Sequence, residues 1–154
     1  MEKLKKGDVA PLFSYTDPEG ISRNLSDYLG KKVILYFYPK DNTPGCTVEA
    51  CSLRDGYEDL RDKGFEVIGV SADSASSHAG FRKKFKLPFN LVSDTDKSIL
   101  NAYGVWAEKK FMGRTFMGIV RTTFVIDEQG HIAHIIDKVD TKDHAKQVLQ
   151  VMEK

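Results

Sequence analysis

The sequence predicts an α/β sandwich on a mixed central sheet, and three observations carry that reading. VILYFY (33–38) and FEVIGVSAD (65–73) are continuous runs rich in β-branched and aromatic residues, as expected of strands covered on both faces. Segments with a helical spacing of apolar residues follow each of them. The last third holds a hairpin pattern and one more helix, which adds antiparallel strands to a parallel set.

In chain order, LFSYTDPEGISRNL (12–25) reads as two short strands around Asp-Pro-Glu-Gly, a turn with Pro second and Gly fourth. After the first buried strand, Thr43-Pro44 reads as an N-cap followed by proline at the first helical position, where its missing N–H does no harm. Cys46, Ala50, Leu53, Tyr57 and Leu60 then recur at spacings of 4, 3, 4 and 3. They form one face of a helix that Gly64 closes. Gly56 inside it costs about 1 kcal/mol relative to alanine and marks a bend. SASSHAGFRKKF (74–85) is a serine-capped helix, NLVSD (90–94) a strand, and KSILNAYG (97–104) a helix stopped by Gly104. VWAEKKFMGRTFMGI (105–119) is a hairpin or a long loop. RTTFVIDEQGHIAHIID (121–137) is a hairpin turning at Glu128-Gln129-Gly130. TKDHAKQVLQVMEK closes the chain as a helix capped by Thr141, with Ala145, Val148, Leu149 and Met152 as its stripe.

No repeat, low-complexity tract or linker divides the chain, so residues 1–154 are expected to form one domain. A chain of this size buries about two-thirds of its unfolded surface and needs no disulfide to fold. Lys and Arg number 23 against 22 Asp and Glu, which argues against a nucleic-acid or anionic-membrane partner. MEKLKKGDVAPLF lacks the apolar core of a secretory signal, and no stretch approaches the roughly 18–20 apolar residues of a membrane span. A cytoplasmic location is the expectation. There, a lone cysteine pair is catalytic or metal-binding more often than structural.

Both cysteines lie in YPKDNTPGCTVEACSL (38–53). With Thr43 as N-cap, Cys46 is the third helical residue, where free N–H groups and the positive end of the helix dipole favour a thiolate. The donors near its sulfur would be the amides of Gly45, Cys46 and Thr47, and the absent side chain of Gly45 leaves room for a small molecule. Cys46 also falls on the apolar stripe, so burial as a small hydrophobe is the competing reading. Cys51 is five residues further on. That spacing separates the α-carbons by roughly 8–9 Å along an intact helix, beyond the ~7 Å that a disulfide tolerates. The pair therefore suits a bond made only when the helix start unwinds. Two thiols without a matching Cys or His pair leave a structural zinc site incomplete, and the four histidines are not spaced to complete it. A thiol–disulfide exchange protein remains an alternative, although such proteins usually carry Cys-x-x-Cys. A binding module with two inert thiols is the third reading.

PKDNTPGC fits Pro-x-x-x-Thr-x-x-Cys, the active-site signature of peroxiredoxins, at Pro39, Thr43 and Cys46. TPGCTVEAC, and YGVWAEKKFMGRTFMGIVRTTFVID downstream, closely resemble the peroxiredoxin Q or bacterioferritin-comigratory-protein branch. The resemblance implies a thioredoxin fold with an N-terminal extension hairpin, and a peroxidase that works without metal or haem. It implies hydrogen peroxide and alkyl hydroperoxides as substrates and a thioredoxin-like dithiol as reductant, in a monomer or weak homodimer. By the same resemblance Cys46 is the peroxidatic cysteine and Cys51 the resolving one. Thr43 places its hydroxyl on thiolate and peroxide, Pro39 shields the site from water, Arg121 holds thiolate and peroxide oxygen, and Glu49 steadies Arg121 or the helix turn.

Overall fold

The computed structural model describes residues 4–17 and 20–152. Its centre is a five-stranded mixed sheet in the order β5 (Asn90–Ser93), β4 (Phe65–Ser71), β3 (Lys32–Phe37), β8 (Thr122–Ile126), β9 (Ile132–Ile136). Strands β3, β4 and β5 run parallel. Strands β8 and β9 complete it antiparallel, as the closing hairpin predicts. Period two along β3 divides the interior. Val33, Leu35 and Phe37 enter one apolar cluster with Ile99, Leu100 and Tyr103 from the segment around α4 (Ser98–Ala102). Ile34, Tyr36 and Tyr38 enter the other, with residues of α1 (Pro44–Asp55), α2 (Tyr57–Asp62), α3 (Ala75–Phe85) and α5 (His144–Met152).

Strands β1 (Ser14–Thr16) and β2 (Ser22–Asn24) form the N-terminal hairpin. Pro18 and Glu19, at the centre of its expected turn, lie outside the described residues. Of the two readings of 105–119, the structure takes the hairpin, β6 (Trp106–Phe111) with β7 (Arg114–Ile119). Met112 and Gly113 both take positive φ, 54° and 78°, the requirement of the two-residue turn whose twist matches paired strands.

Two expectations about helix ends need correction. The expected single helix to Gly64 is two helices, because Gly56 interrupts it between α1 and α2. The apolar stripe nevertheless continues across the break through Tyr57 and Leu60. The final helix begins at His144, after a 3-10 turn at Thr141–Asp143. Its opening is capped by Asp140, which accepts from the Lys142 amide, and Thr141 plays no capping role.

Candidate active site

The site forms where β3 leaves the sheet. Pro39, half-buried, follows that strand, and the chain reaches α1 through Asp41 and Asn42, the latter at φ 62°. Thr43 has the extended backbone of an N-cap, yet its side chain does not cap. The hydroxyl donates instead to the Lys40 carbonyl at 3.0 Å. Pro44 takes the first helical position. The Thr47 amide already donates to the Thr43 carbonyl at 2.8 Å, so it is not free for the sulfur. The amides of Gly45 and Cys46 stand ahead of that first helical bond. Cys46 and Cys51 are both free and lie on one unbroken helix, Cys46 buried and Cys51 half-buried.

Arg121 comes from the far end of the chain. Antiparallel pairing sets Phe37 opposite Thr122, so the residue before β8 arrives beside the end of β3 and the start of α1. Its Nη2 donates to Cys46 Sγ at 3.2 Å and its Nη1 to Glu49 Oε1 at 2.5 Å. Gly45 eases this approach: a β-carbon there would meet Arg121 Nη2 at 3.2 Å, closer than ordinary contact. The guanidinium therefore lies against the bare face of Gly45. Burial opposes the Arg121 charge, but Glu49 and Cys46 outweigh it and hold the guanidinium firmly cationic.

Glu49 is fully buried. Burial pushes its carboxyl up to about 7, with Arg121 offsetting part of the effect. Its second oxygen, Oε2, has no hydrogen bond, a condition shared among the described buried side chains only with the Tyr36 hydroxyl. His144 Nε2 is 3.6 Å from Oε2. Burial, reinforced by Arg121, lowers the His144 pKa, so the ring is held neutral. The sequence reading included Glu49 and missed His144, because the periodicity of α5 marks its buried face without saying what that face meets.

A second buried network was also missed. Asp41 accepts from Tyr38 (2.6 Å) and Ser77 (2.7 Å) and faces His78 Nδ1 at 2.8 Å. Burial alone would raise the Asp41 pKa, but these three partners together hold it below its ordinary value. The network ties the loop after β3 to α3. Asp41, Asp73 and His78 also bring ligand-type atoms within 4.8 Å of one another. Asp41 Oδ2 and both His78 nitrogens are already engaged, so a cation would have to displace those bonds.

A thiol at a helix start, contacted by a half-buried arginine on a thioredoxin-like sheet, defines a thiol-based redox protein. The chain belongs to the AhpC/TSA family, whose model matches residues 6–135. It is 46% identical over 149 residues to peroxiredoxin Bcp of Escherichia coli strain K12, covering 97% of this chain and 96% of the relative. Peroxiredoxin Bcp of Bacillus subtilis strain 168 is 44% identical over 149 residues, covering 97% and 95%. Among solved structures, a cysteine-to-serine variant of PrxQ from Xylella fastidiosa superposes with a TM-score of 0.91 at 32% identity, covering 99% of this chain and 98% of that one. A cysteine-to-serine variant of peroxiredoxin Q from Xanthomonas campestris gives 0.84 at 34% identity, covering 92% and 90%. The expected thioredoxin fold and peroxiredoxin Q/Bcp branch are thus established, and with them a thiol-dependent peroxidase that takes peroxides and a thioredoxin-type reductant.

Proposed function

We propose that Cys46 is the thiolate that attacks the peroxide and Cys51 the thiol that resolves the product. The observation that carries this is the Arg121 guanidinium 3.2 Å from a sulfur in the first turn of α1. The Cys46 thiolate attacks the distal peroxide oxygen, the O–O bond breaks, and the leaving alkoxide takes up a proton to leave as alcohol or water. The oxidised sulfur becomes the sulfenic acid. Arg121 supplies donors to the oxygen as charge builds on it. The Thr43 hydroxyl, its hydrogen given to Lys40, keeps lone pairs to accept from the proton-bearing peroxide oxygen. Pro39 limits water at the site, and Glu49 orients Arg121.

The first turns of α1 then unwind, as helix termini of low local stability do. The Cys51 thiolate attacks the sulfenic sulfur, a disulfide forms, and hydroxide leaves as water. Exchange with a thioredoxin-like dithiol restores both thiols. The chain works as one domain and as a monomer or weak homodimer in the cytoplasm, without nucleic-acid or membrane partners. The formal charge of +1 supports the lack of a nucleic-acid partner, and among the described residues no helix is long and apolar enough to cross a membrane.

Peroxide consumption coupled to thioredoxin and its reductase tests the scheme. Cys46→Ser is expected to abolish consumption. Cys51→Ser is expected to complete one turnover and lose sustained activity. Undiminished steady-state turnover by Cys51→Ser would defeat its resolving role.

A further inference from the structure

The carboxyl of Glu49 faces two different neighbours. Oε1 accepts from Arg121, while Oε2 points into the interior without a hydrogen bond, 3.6 Å from Nε2 of His144. The hydrogens around it follow from the partners. Gln147 donates through Nε2 to the Lys138 carbonyl at 2.9 Å and accepts the Asp140 amide on Oε1 at 2.8 Å, which fixes its amide orientation. His144 Nδ1 lies 2.8 Å from that same Oε1 and must therefore carry hydrogen. In the neutral ring Nε2 then carries a lone pair and no hydrogen: it accepts from the Thr123 hydroxyl at 2.8 Å and has no donor to offer Glu49 Oε2, 3.6 Å away.

An ionised Glu49 would set a bare anionic oxygen, buried and without a donor, against that lone pair. A carboxylic acid sets its hydrogen there instead. The remaining neighbours support the acid. Cys46 competes with Glu49 for the single guanidinium, the Tyr36 hydroxyl makes no bond to either oxygen, and Ser52 gives its hydrogen to the Glu49 carbonyl rather than its carboxyl.

We propose that Glu49 serves this site as an un-ionised acid whose proton sits on Oε2 facing His144 Nε2, and that His144 is the positioning residue that thereby reserves the Arg121 charge for Cys46. With Glu49 ionised, one cation is divided between two anions. With Glu49 neutral, the carboxyl still orients Nη1 through its carbonyl oxygen, and the full charge bears on the sulfur. His144 touches neither sulfur nor peroxide and acts only through Glu49.

The inference rests on Cys46 being the attacking thiolate, and its test has one arm that is blind to that assignment. Infrared spectra of the reduced full chain at about pH 6, below the Glu49 midpoint, are expected to contain a protonated-carboxyl band that Glu49→Gln removes. His144→Asn should shift the titration of that band downward by about one pH unit. Nitrogen NMR of the unsubstituted chain should find His144 neutral, with hydrogen on Nδ1. Absence of the band, or an imidazolium at His144, overturns the proposal whatever Cys46 does. The second arm is the single-turnover rate of Cys46 with hydrogen peroxide. His144→Asn is expected to slow it about tenfold in the natural chain, and less than about twofold when Glu49 is already Gln, because no charge is then left to control. Equal slowing in both backgrounds would make His144 a purely structural residue and overturn the proposal.

Discussion

At the scale of single residues, the question is which effect makes the thiol fast. A free thiol with pKa about 8.5 is about 3% thiolate at pH 7. Lowering such a pKa to about 6 raises that to about 90%, a gain of roughly 30-fold. Nucleophilicity falls at the same time, by roughly 10–15-fold for a Brønsted slope near 0.4–0.5. The net gain is about twofold, so ionisation alone is a weak lever. Donors fixed in place before the O–O bond lengthens are the stronger one, typically worth about 10²–10³ each. On the proposed roles Arg121, held between Cys46 and Glu49, is such a donor. Arg121→Ala is therefore expected to slow peroxide attack by about 10² or more, far beyond the change in thiolate fraction. Stopped-flow rates beside a thiolate titration check this, and a rate loss fully matched by lost thiolate would refute it. Cys46, Thr43 and Pro39 were legible in the sequence because they share one short motif. His144 and the Asp41–His78 contact were not, since each depends on which helix packs against which loop.

At the scale of elements, Gly56 separates α1 from α2 for two reasons that the sequence displays unequally. Its low helix propensity was visible, and a bend was expected from it. Its second role was not: a β-carbon at Gly56 would stand 2.5 Å from the Ala145 β-carbon, so the missing side chain lets α5 sit against α1. Gly56→Ala is expected to gain helix propensity and still destabilise the fold by about 1–3 kcal/mol through overpacking. Adding Ala145→Gly should recover much of the loss, as chemical denaturation of the single and double variants would reveal. A single variant as stable as the natural chain would contradict the contact. The hairpin of β6 and β7 carries a similar lesson. Its turn residues were legible only as an option, because Met112 at positive φ is disfavoured and pairing across the turn decides the matter. Thr141 illustrates the reverse case, a good capping residue displaced by the neighbouring Asp140.

At the scale of the whole molecule, the buried acids make stability depend on pH in opposite senses. Glu49 holds its proton up to about 7 when folded but only to 4.5 in its ordinary state. The folded chain therefore binds the extra proton between those values, and this contribution is full below 4.5 and lost as pH rises through about 7. The shift corresponds to an upper bound of about 3 kcal/mol. Asp41, held below its ordinary 3.8, contributes in the other direction, and its stabilisation is lost as pH falls. Urea denaturation at about pH 5 and about pH 8 should find that Glu49→Gln flattens the alkaline decline. A decline of unchanged size would remove Glu49 as its source. The sheet order explains a further property. Cys46 and Arg121 are 75 positions apart and meet only through the register that joins β3 to β8. On the proposed roles, a partly synthesised chain would display an unassisted sulfur until its C-terminal third has emerged and paired. Oxidant sensitivity would then be switched on only by completion of the protein, and nascent copies on the ribosome would be spared the chemistry of the finished form.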